Sequence, residues 1–390
     1  MGPLQGIKVI ELAGIGPSPM AAMLLADLGA TVLRIDRASP TSLGIERPLK
    51  YNLVLRNRST IAVDLKQPEG RDLVLRLLEN ADALIEGFRP GVTERLGLGP
   101  EPCMARNPRL VYGRMTGWGQ NGPLSQVAGH DLNYIGLTGV LDAIGRRDQP
   151  PSPPLNLVGD FGGGSLYLAL GVLAAIIEAR QSGMGQVVDA AIVDGTASLA
   201  TSLFGLHAAG LWDGSRGENI LDSGAYFYDV YECADGKWIS VAPIEQKFHD
   251  RLLEMIGVDS REIGSQQDRA NWPRAKLLLA AQFKTRTRNE WCELLEQADV
   301  CVFPVLSLQE SAAHPHMQER EVLMEIDGVV QPAPAPRFSR TVPARPSAPQ
   351  EARPEGIQQA LAPWMPADEI SRWQQAAGGS SATGHAAEGL

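Results

Sequence analysis

The stretch IKVIELAGIGPSPMAAMLLADLGATVLRI, residues 7–35, contains two short apolar runs on either side of a longer one. Ile7 to Leu12 has the length and composition of a buried strand, and Thr31 to Ile35 is a second such run. Pro17 to Leu28 between them reads as a helix, with prolines at the start, where a helix can spare N–H groups. Strand, helix, strand is a βαβ unit. The pattern recurs downstream, with a helix near Glu69 to Glu79, strands near Ala83 to Ile85 and Leu110 to Arg114, and helices near His130 to Ala143 and Gly164 to Arg180. Alternation of this kind predicts an α/β fold with a large, doubly wound, Rossmann-like parallel-sheet domain. From Tyr226 the texture changes to a hairpin, Tyr226 to Cys233 and Trp238 to Val241, around Asp235-Gly236, a dipeptide suited to a type I′ turn. Helices near Glu245 to Ile256 and Asn289 to Leu295 follow, so a smaller α+β domain is expected. The expected division is residues 1–200 for the large domain, 201–224 for a linker helix and 225–325 for the small domain. A proline-rich return segment, 326–365, precedes a tail, 366–390, whose Gly/Ser/Ala-rich end from Gly378 predicts partial disorder.

With 390 residues and 44% hydrophobic content the chain can bury a large core. The longest unbroken apolar run, Leu166 to Ile177, stops at Glu178, well short of the roughly twenty residues of a membrane span. No transmembrane helix is expected. The start of the chain carries no signal-peptide pattern and its end no Ser-Lys-Leu type signal, which favours a cytoplasmic location. Four cysteines without a C-x-x-C pair suit a reducing compartment and small buried side chains. A formal charge of −10 argues against broad nucleic-acid binding. Between Arg34 and Arg58, however, six basic residues (Arg34, Arg37, Arg47, Lys50, Arg56, Arg58) face two acids, Asp36 and Glu46. A local excess of +4 suits a small, multiply charged anion, with an ordinary solvated face as the alternative.

Gly14-Ile15-Gly16, with Asp36 22 residues after Gly14, imitates a dinucleotide fingerprint. The third glycine position is Pro19, and Pro17 and Pro19 remove N–H groups that a pyrophosphate would need. No G-x-S-x-G or H-E-x-x-H occurs, and His314-Pro-His316 lacks a clustered third ligand, so no metal site is expected. Three stretches hold chemistry that packing does not readily explain. One is the glycine-rich Gly117 to Pro123 followed by Gly129-His130-Asp131. Another is Asn156-Leu-Val-Gly-Asp160-Phe-Gly-Gly-Gly164, an acid at the mouth of a glycine turn that opens an apolar helix. The last is Ala242-Pro-Ile-Glu245-Gln246, an acid between a hairpin and a helix. Singly, His130 could be a core histidine, and Asp160 and Glu245 could be plain helix caps.

In order, the pieces Gly6 to Gly14, Asp27 to Arg37, Leu55 to Arg58, Asp64 to Lys66, Glu86 to Gly91, Met115 to Gln120, Gly129 to Asp131, Asn156 to Gly164 and Tyr231 to Gly236 resemble the alpha-methylacyl-CoA racemases of the family III CoA-transferase superfamily. The resemblance runs from Gly6 to about Thr341. It implies an interlocked homodimer with the active site at the junction of a large and a small domain, Asp160 and Glu245 meeting there. It implies, too, that His130 and Asp160 are proton-transfer bases on opposite faces of an α-carbon, with Glu245 orienting and charging His130. CoA would be part of the substrate, no separate cofactor being needed, and the partners would be an acyl-CoA and a second copy, with no nucleic acid or membrane.

By position, Arg37, Arg58, Lys66 and Arg89 would neighbour the CoA phosphates and adenine, Arg56 and Lys50 being weaker choices. Asp131, Asn156, Gly159 and Gly162 would shape the substrate and oxyanion site, with backbone N–H groups around Asp160 and Gly162 to Gly164 holding the enolate oxygen. The competing reading is a CoA-transferase whose aspartate, at Asp160, forms a covalent intermediate. Such transferases carry a glycine-rich loop where this chain reads Ala242 to Gln246, and generally lack the His/Glu pair, which favours the racemase.

Overall fold

The computed structural model describes residues 2–39 and 44–383. Two compact units emerge. The first gathers the chain up to Thr138, Leu155–Leu199 and the chain from Val322, and the second gathers Gly139–Pro154 and Ala200–Glu321. The segment 201–224 therefore packs with the second unit rather than serving as a linker, and 139–154 joins it.

The first unit is built on a six-stranded sheet of β1 (Lys8–Leu12), β2 (Thr31–Arg37), β3 (Ser59–Val63), β4 (Ala83–Glu86), β5 (Val111–Thr116) and β6 (Val187–Ala191). All neighbours pair parallel, in the order β3-β2-β1-β4-β5-β6. This is the doubly wound order, with its switch point between β1 and β4. The edge strands β3 and β6 are the two that sequence reasoning missed. They are short and alternate with exposed positions, so neither forms an apolar run.

Side chains of a strand point alternately to either face, and here both faces are covered. Ile10, Leu12, Leu33, Ile35, Leu84 and Tyr112 pack on one side against Leu73, Leu77, Leu361 and Trp364. Val9, Val32, Ile85, Val111 and Met115 pack on the other against Ala22, Leu25, Leu168, Val172 and Ile176. The residues expected to form a tail instead include a helix, Ala367–Thr383, whose Ile370 is buried and whose Trp373 packs against the core. The remainder of the tail, 384–390, lies outside the described residues.

Leu157–Leu166 is a π-helix that runs directly into the α-helix Tyr167–Ser182. The resulting 26-residue span contains an 18-residue window of mean hydropathy 1.6, enough by length and composition alone to cross a membrane, where the sequence reading expected no such helix. Counting unbroken apolar residues missed it because glycines and Asp160 interrupt the run. Leu168, Val172, Ala175, Ile176 and Ala179 of this span nevertheless lie in the core of the first unit. Leu166, Leu170 and Ile177 stand 52%, 64% and 60% exposed on the other side.

The π-helix is held by close backbone packing. A Cβ on Gly195 would overlap the Gly163 carbonyl oxygen, and one on Gly163 would lie 2.5 Å from Thr196 Oγ1. Gly195→Ala should therefore cost about 1–3 kcal/mol and push the π-helix that carries Asp160 out of place. Denaturant unfolding read beside turnover per folded molecule tests this, and an unchanged midpoint with full turnover would refute it.

In the second unit β7 (Asp229–Glu232), β8 (Trp238–Val241) and β9 (Val302–Val305) form an antiparallel sheet in that order. Gly236 takes φ 74° but Asp235 is not left-handed, so the connection is not type I′. Gly236 N–H donates to Cys233 O, and Cys233 N–H to Lys237 O, giving a three-residue loop with glycine at the left-handed place. The core gathers Tyr226, Phe227, Tyr231, Phe283 and Trp291.

His249 is buried there with its Nε2 2.7 Å from the Tyr226 hydroxyl, and burial lowers its pKa. The unfolded chain thus takes up the proton first, so this group removes stability as pH falls below about 6.5. Melting curves at pH 7.5 and 5.5 should show a smaller acid-induced drop for His249→Gln than for the parent. Equal drops would rule the contribution out.

Candidate active site

Loops leaving the carboxyl ends of β1, β4 and β5 converge at the switch point, where open α/β sheets form their ligand crevices. They line a cleft of about 250 Å³ that includes Gly16, Ser18, Gly87, Arg89, Gly117, His130, Tyr134 and Asp160. A further pocket of about 330 Å³ shares Gly87, Arg89, Gly117, His130 and Tyr134 with it and adds Phe88, Trp118 and Val127. Both lie within the first unit.

His130 precedes the helix Asp131–Leu137, its N–H donating to Asn133 Oδ1 at 3.0 Å. It is exposed at the cleft, not a core histidine. Asp160 is the fourth residue of the π-helix rather than its cap, which is Asn156, and π segments of this kind are frequent at functional sites. Its N–H donates to Asp131 Oδ1 at 2.6 Å, and Asp131 also receives the Gly159 N–H. Burial, then the Asp131 charge, push the Asp160 carboxyl up to about 6, while Asn156 and His130 pull it the other way. Asp160 is thereby poised to exchange a proton near neutral pH.

An aromatic pair walls the pocket. Trp118 and Tyr134 meet edge to face with centroids 4.7 Å apart, Trp118 Nε1 donates to Val127 O, and the Tyr134 hydroxyl donates to Gly129 O. Side chains at 117 and 129 would run into these rings, which explains the glycines there. At the end of β4, Glu86 accepts the Phe88 N–H at 2.7 Å and Arg114 Nε at 2.9 Å, fixing the turn that presents Arg89. Its burial pushes the carboxyl up to about 7. Sequence reasoning assigned no role to Trp118, Glu86 or Tyr134; the first two lie inside the glycine-containing motifs, while Tyr134 sits in the helix Asp131–Leu137, where no motif marked it.

The amino-acid sequence matches the family model described as CoA-transferase family III over residues 4–358. The chain belongs to CoA-transferase family III. It is 44% identical over 346 residues to the alpha-methylacyl-CoA racemase of Mus musculus, covering 88% of each chain. Against the alpha-methylacyl-CoA racemase of Homo sapiens it is 43% identical over 347 residues, again covering 88% of each. Its fold is similar to the crystal structure of a CAIB/BAIF family protein from Brucella suis, with a TM-score of 0.78 and 26% identity, covering 91% of this chain and 97% of that one.

Within this family III chain the expected phosphate ligands separate into two groups. Arg58 is buried, paired with Glu11 and donating to Pro19 O at 2.9 Å and to Val54 O, so its guanidinium is committed inside the protein. Arg34 shares Glu11 at 2.6 Å, and Arg56 pairs with buried Asp27 at 2.5 Å. Half of the basic residues counted from sequence (Arg34, Arg56 and Arg58) are therefore internal, and Arg58 is removed from the candidate ligands. Arg37, Lys66 and Arg89 are exposed, Arg37 ending β2 and Lys66 and Arg89 following the carboxyl ends of β3 and β4.

The oxyanion expectation also changes. Asp131 is an acceptor already holding two backbone N–H groups, those of Gly159 and Asp160, which leaves neither donor for a substrate oxygen. Gly159 and Gly162 serve packing, since a Cβ at 159 would overlap Asp131 Oδ1 and one at 162 would lie 3.0 Å from Leu157 O. Asn156 faces Asp160 instead of acting as a separate substrate donor. Glu245 belongs to the second unit, exposed at the start of the helix Gln246–Ile256, and makes no side-chain cap bond among the described residues. His314 pairs with Glu296 at 2.9 Å, and the described residues contain no group of three or more potential metal ligands.

Proposed function

We propose that this protein is a 2-methylacyl-CoA racemase, interconverting the (R)- and (S)-thioesters by removing the α-proton from one face and returning one to the other. The observation that carries the reading is that His130 and Asp160 line one cleft at the switch point, with Asp160 pushed up to about 6. An α-C–H is a far weaker acid than any side chain, and inversion needs one protonated and one deprotonated partner in either direction. A carboxyl titrating near neutrality and an imidazole can exchange those roles. The identity to two alpha-methylacyl-CoA racemases supports the same chemistry.

Arg37, Lys66 and Arg89 would hold the CoA phosphates, and the aromatic-walled pocket would take an apolar part of the ester. CoA would enter and leave as part of the thioester, whose C–S bond stays intact throughout, and no separate cofactor would be needed. Glu245 would complete the site by charging His130 in a homodimer, for which the exposed Leu166, Leu170 and Ile177 offer an apolar surface. The place of action would be the cytoplasm, in branched fatty-acid metabolism.

Incubation with (S)-2-methylacyl-CoA in D₂O, with no carboxylate acceptor, tests the reading. Incorporation of α-deuterium together with approach to an even mixture of epimers supports it. Retention of the α-proton, with CoA moving only when a free acid is added, would identify a transferase using Asp160 as nucleophile.

A further inference from the structure

The racemase reading needs the Glu245 carboxyl at a fixed place, yet Glu245 is exposed and its side chain makes no cap bond at the helix Gln246–Ile256. Its position is therefore set by its backbone. The segment Ala242 to Glu245 leaves β8 with Ala242 N–H donating to Cys301 O at 2.9 Å, and Ile244 N–H turns back to Ala242 O at 3.0 Å. Glu245 O accepts the N–H groups of Phe248 and His249, each at 3.1 Å. Pro243 has no N–H to give.

The two carbonyls just before Glu245 are both taken by one side chain. Gln266, 2% exposed, donates from Nε2 to Pro243 O and to Ile244 O, each at 2.9 Å. Its own backbone is pinned as well, because Nε1 of the buried Trp272 donates to Gln266 O at 2.9 Å. All of these residues belong to the second unit. Gln266 Oε1, by contrast, is buried without a hydrogen-bond partner among the described residues. A buried amide oxygen left unpaired is unfavourable, and a methionine of similar length would avoid that cost, so filling space does not explain a glutamine here. The donors do explain it. Nε2 carries two hydrogens, and both go to the two residues that precede Glu245.

We infer that Gln266 is a positioning residue for Glu245, its amide clamping the Pro243 and Ile244 carbonyls and thereby fixing where the Glu245 carboxyl stands. The inference rests on the racemase reading above and on the part Glu245 has in it. Buried within the second unit, Gln266 acts through the loop it clamps, so its removal falls on kcat rather than on KM.

The test is Gln266→Met in the full-length enzyme, which keeps the volume and removes both donors, with kcat taken per folded molecule. Gln266→Asn is the second variant, an amide one carbon too short to hold both carbonyls. A misplaced charging group is expected to lower kcat about 10- to 100-fold in Gln266→Met, with KM within about twofold of the parent, and less in Gln266→Asn. Each is then combined with Glu245→Gln. If Gln266 acts through Glu245, the double variants should turn over within about twofold of Glu245→Gln alone, whereas damage to the fold at large would multiply the two losses. Parental kcat in both Gln266 variants, or losses that multiply with that of Glu245→Gln, would overturn the assignment while leaving the racemase reading intact. Parental kcat in Glu245→Gln, or a parent enzyme that exchanges no α-proton, would instead overturn the reading on which it rests.

Discussion

Asp160→Asn is expected to lower racemisation by about 10²- to 10⁴-fold, the usual contribution of a positioned base. The loss should be lopsided in a way that a merely misfolded variant would not reproduce. His130 can still take and return the proton of the epimer it faces, so that epimer should keep exchanging its α-proton in D₂O without inverting, while the other should stop exchanging. Equal loss of exchange from both epimers would refute the two-base arrangement, and continued inversion would remove Asp160 from it.

The pH profile supplies a second readout of the same group. As a base Asp160 must be deprotonated, so the initial rate in the direction it serves should rise as pH increases through about 6. Asp131→Asn removes the charge that is the second cause of the upward shift, while its side-chain oxygen can still accept the Gly159 and Asp160 N–H groups. That limb should move to lower pH, and a limb that stays in place would exclude Asp131 as the tuning charge.

The other large effect separates two arginines that look alike in the sequence. Arg58→Ala leaves Glu11, fully buried, with Arg34 as its remaining guanidinium partner, and breaking a buried pair from one side costs about 3–5 kcal/mol. The expected result is a collapse in folded yield and a large drop in the unfolding midpoint. Arg89→Ala removes an exposed side chain from the cleft wall and should leave the midpoint unchanged. Its loss of one charge-assisted contact should raise KM for the CoA ester by roughly 10- to 100-fold, with a smaller change in kcat. An Arg58→Ala enzyme that stays folded and merely binds its substrate weakly would reverse this assignment.

Much of the fold was legible because burial on both faces of a parallel sheet leaves apolar runs in the chain. Residues 7–35 read correctly as strand, helix and strand for that reason. The edge strands Ser59–Val63 and Val187–Ala191 did not, since each keeps exposed positions. The π-helix was invisible for a different reason, because glycines break the apolar run and what makes them necessary is close tertiary packing, Gly159 against Asp131 and Gly163 against Thr196 and Gly195. Among the candidate residues His130, Asp160 and Arg89 fall around one cleft, and their signal was a titratable group beside glycine-rich turns. Arg58 carried the same charge signal, yet it serves an internal pair.

The amino-acid sequence by itself determined the architecture and the list of side chains able to do chemistry, since periodicity and residue type are local properties. Only the tertiary structure decided which of those groups are spent. Whether Arg58 faces a phosphate or Glu11, and whether the N–H of Asp160 is free or given to Asp131, depend on segments far apart in the chain. Hydrogen bonds and ion pairs across such distances are set by packing, and composition does not encode which partner arrives first.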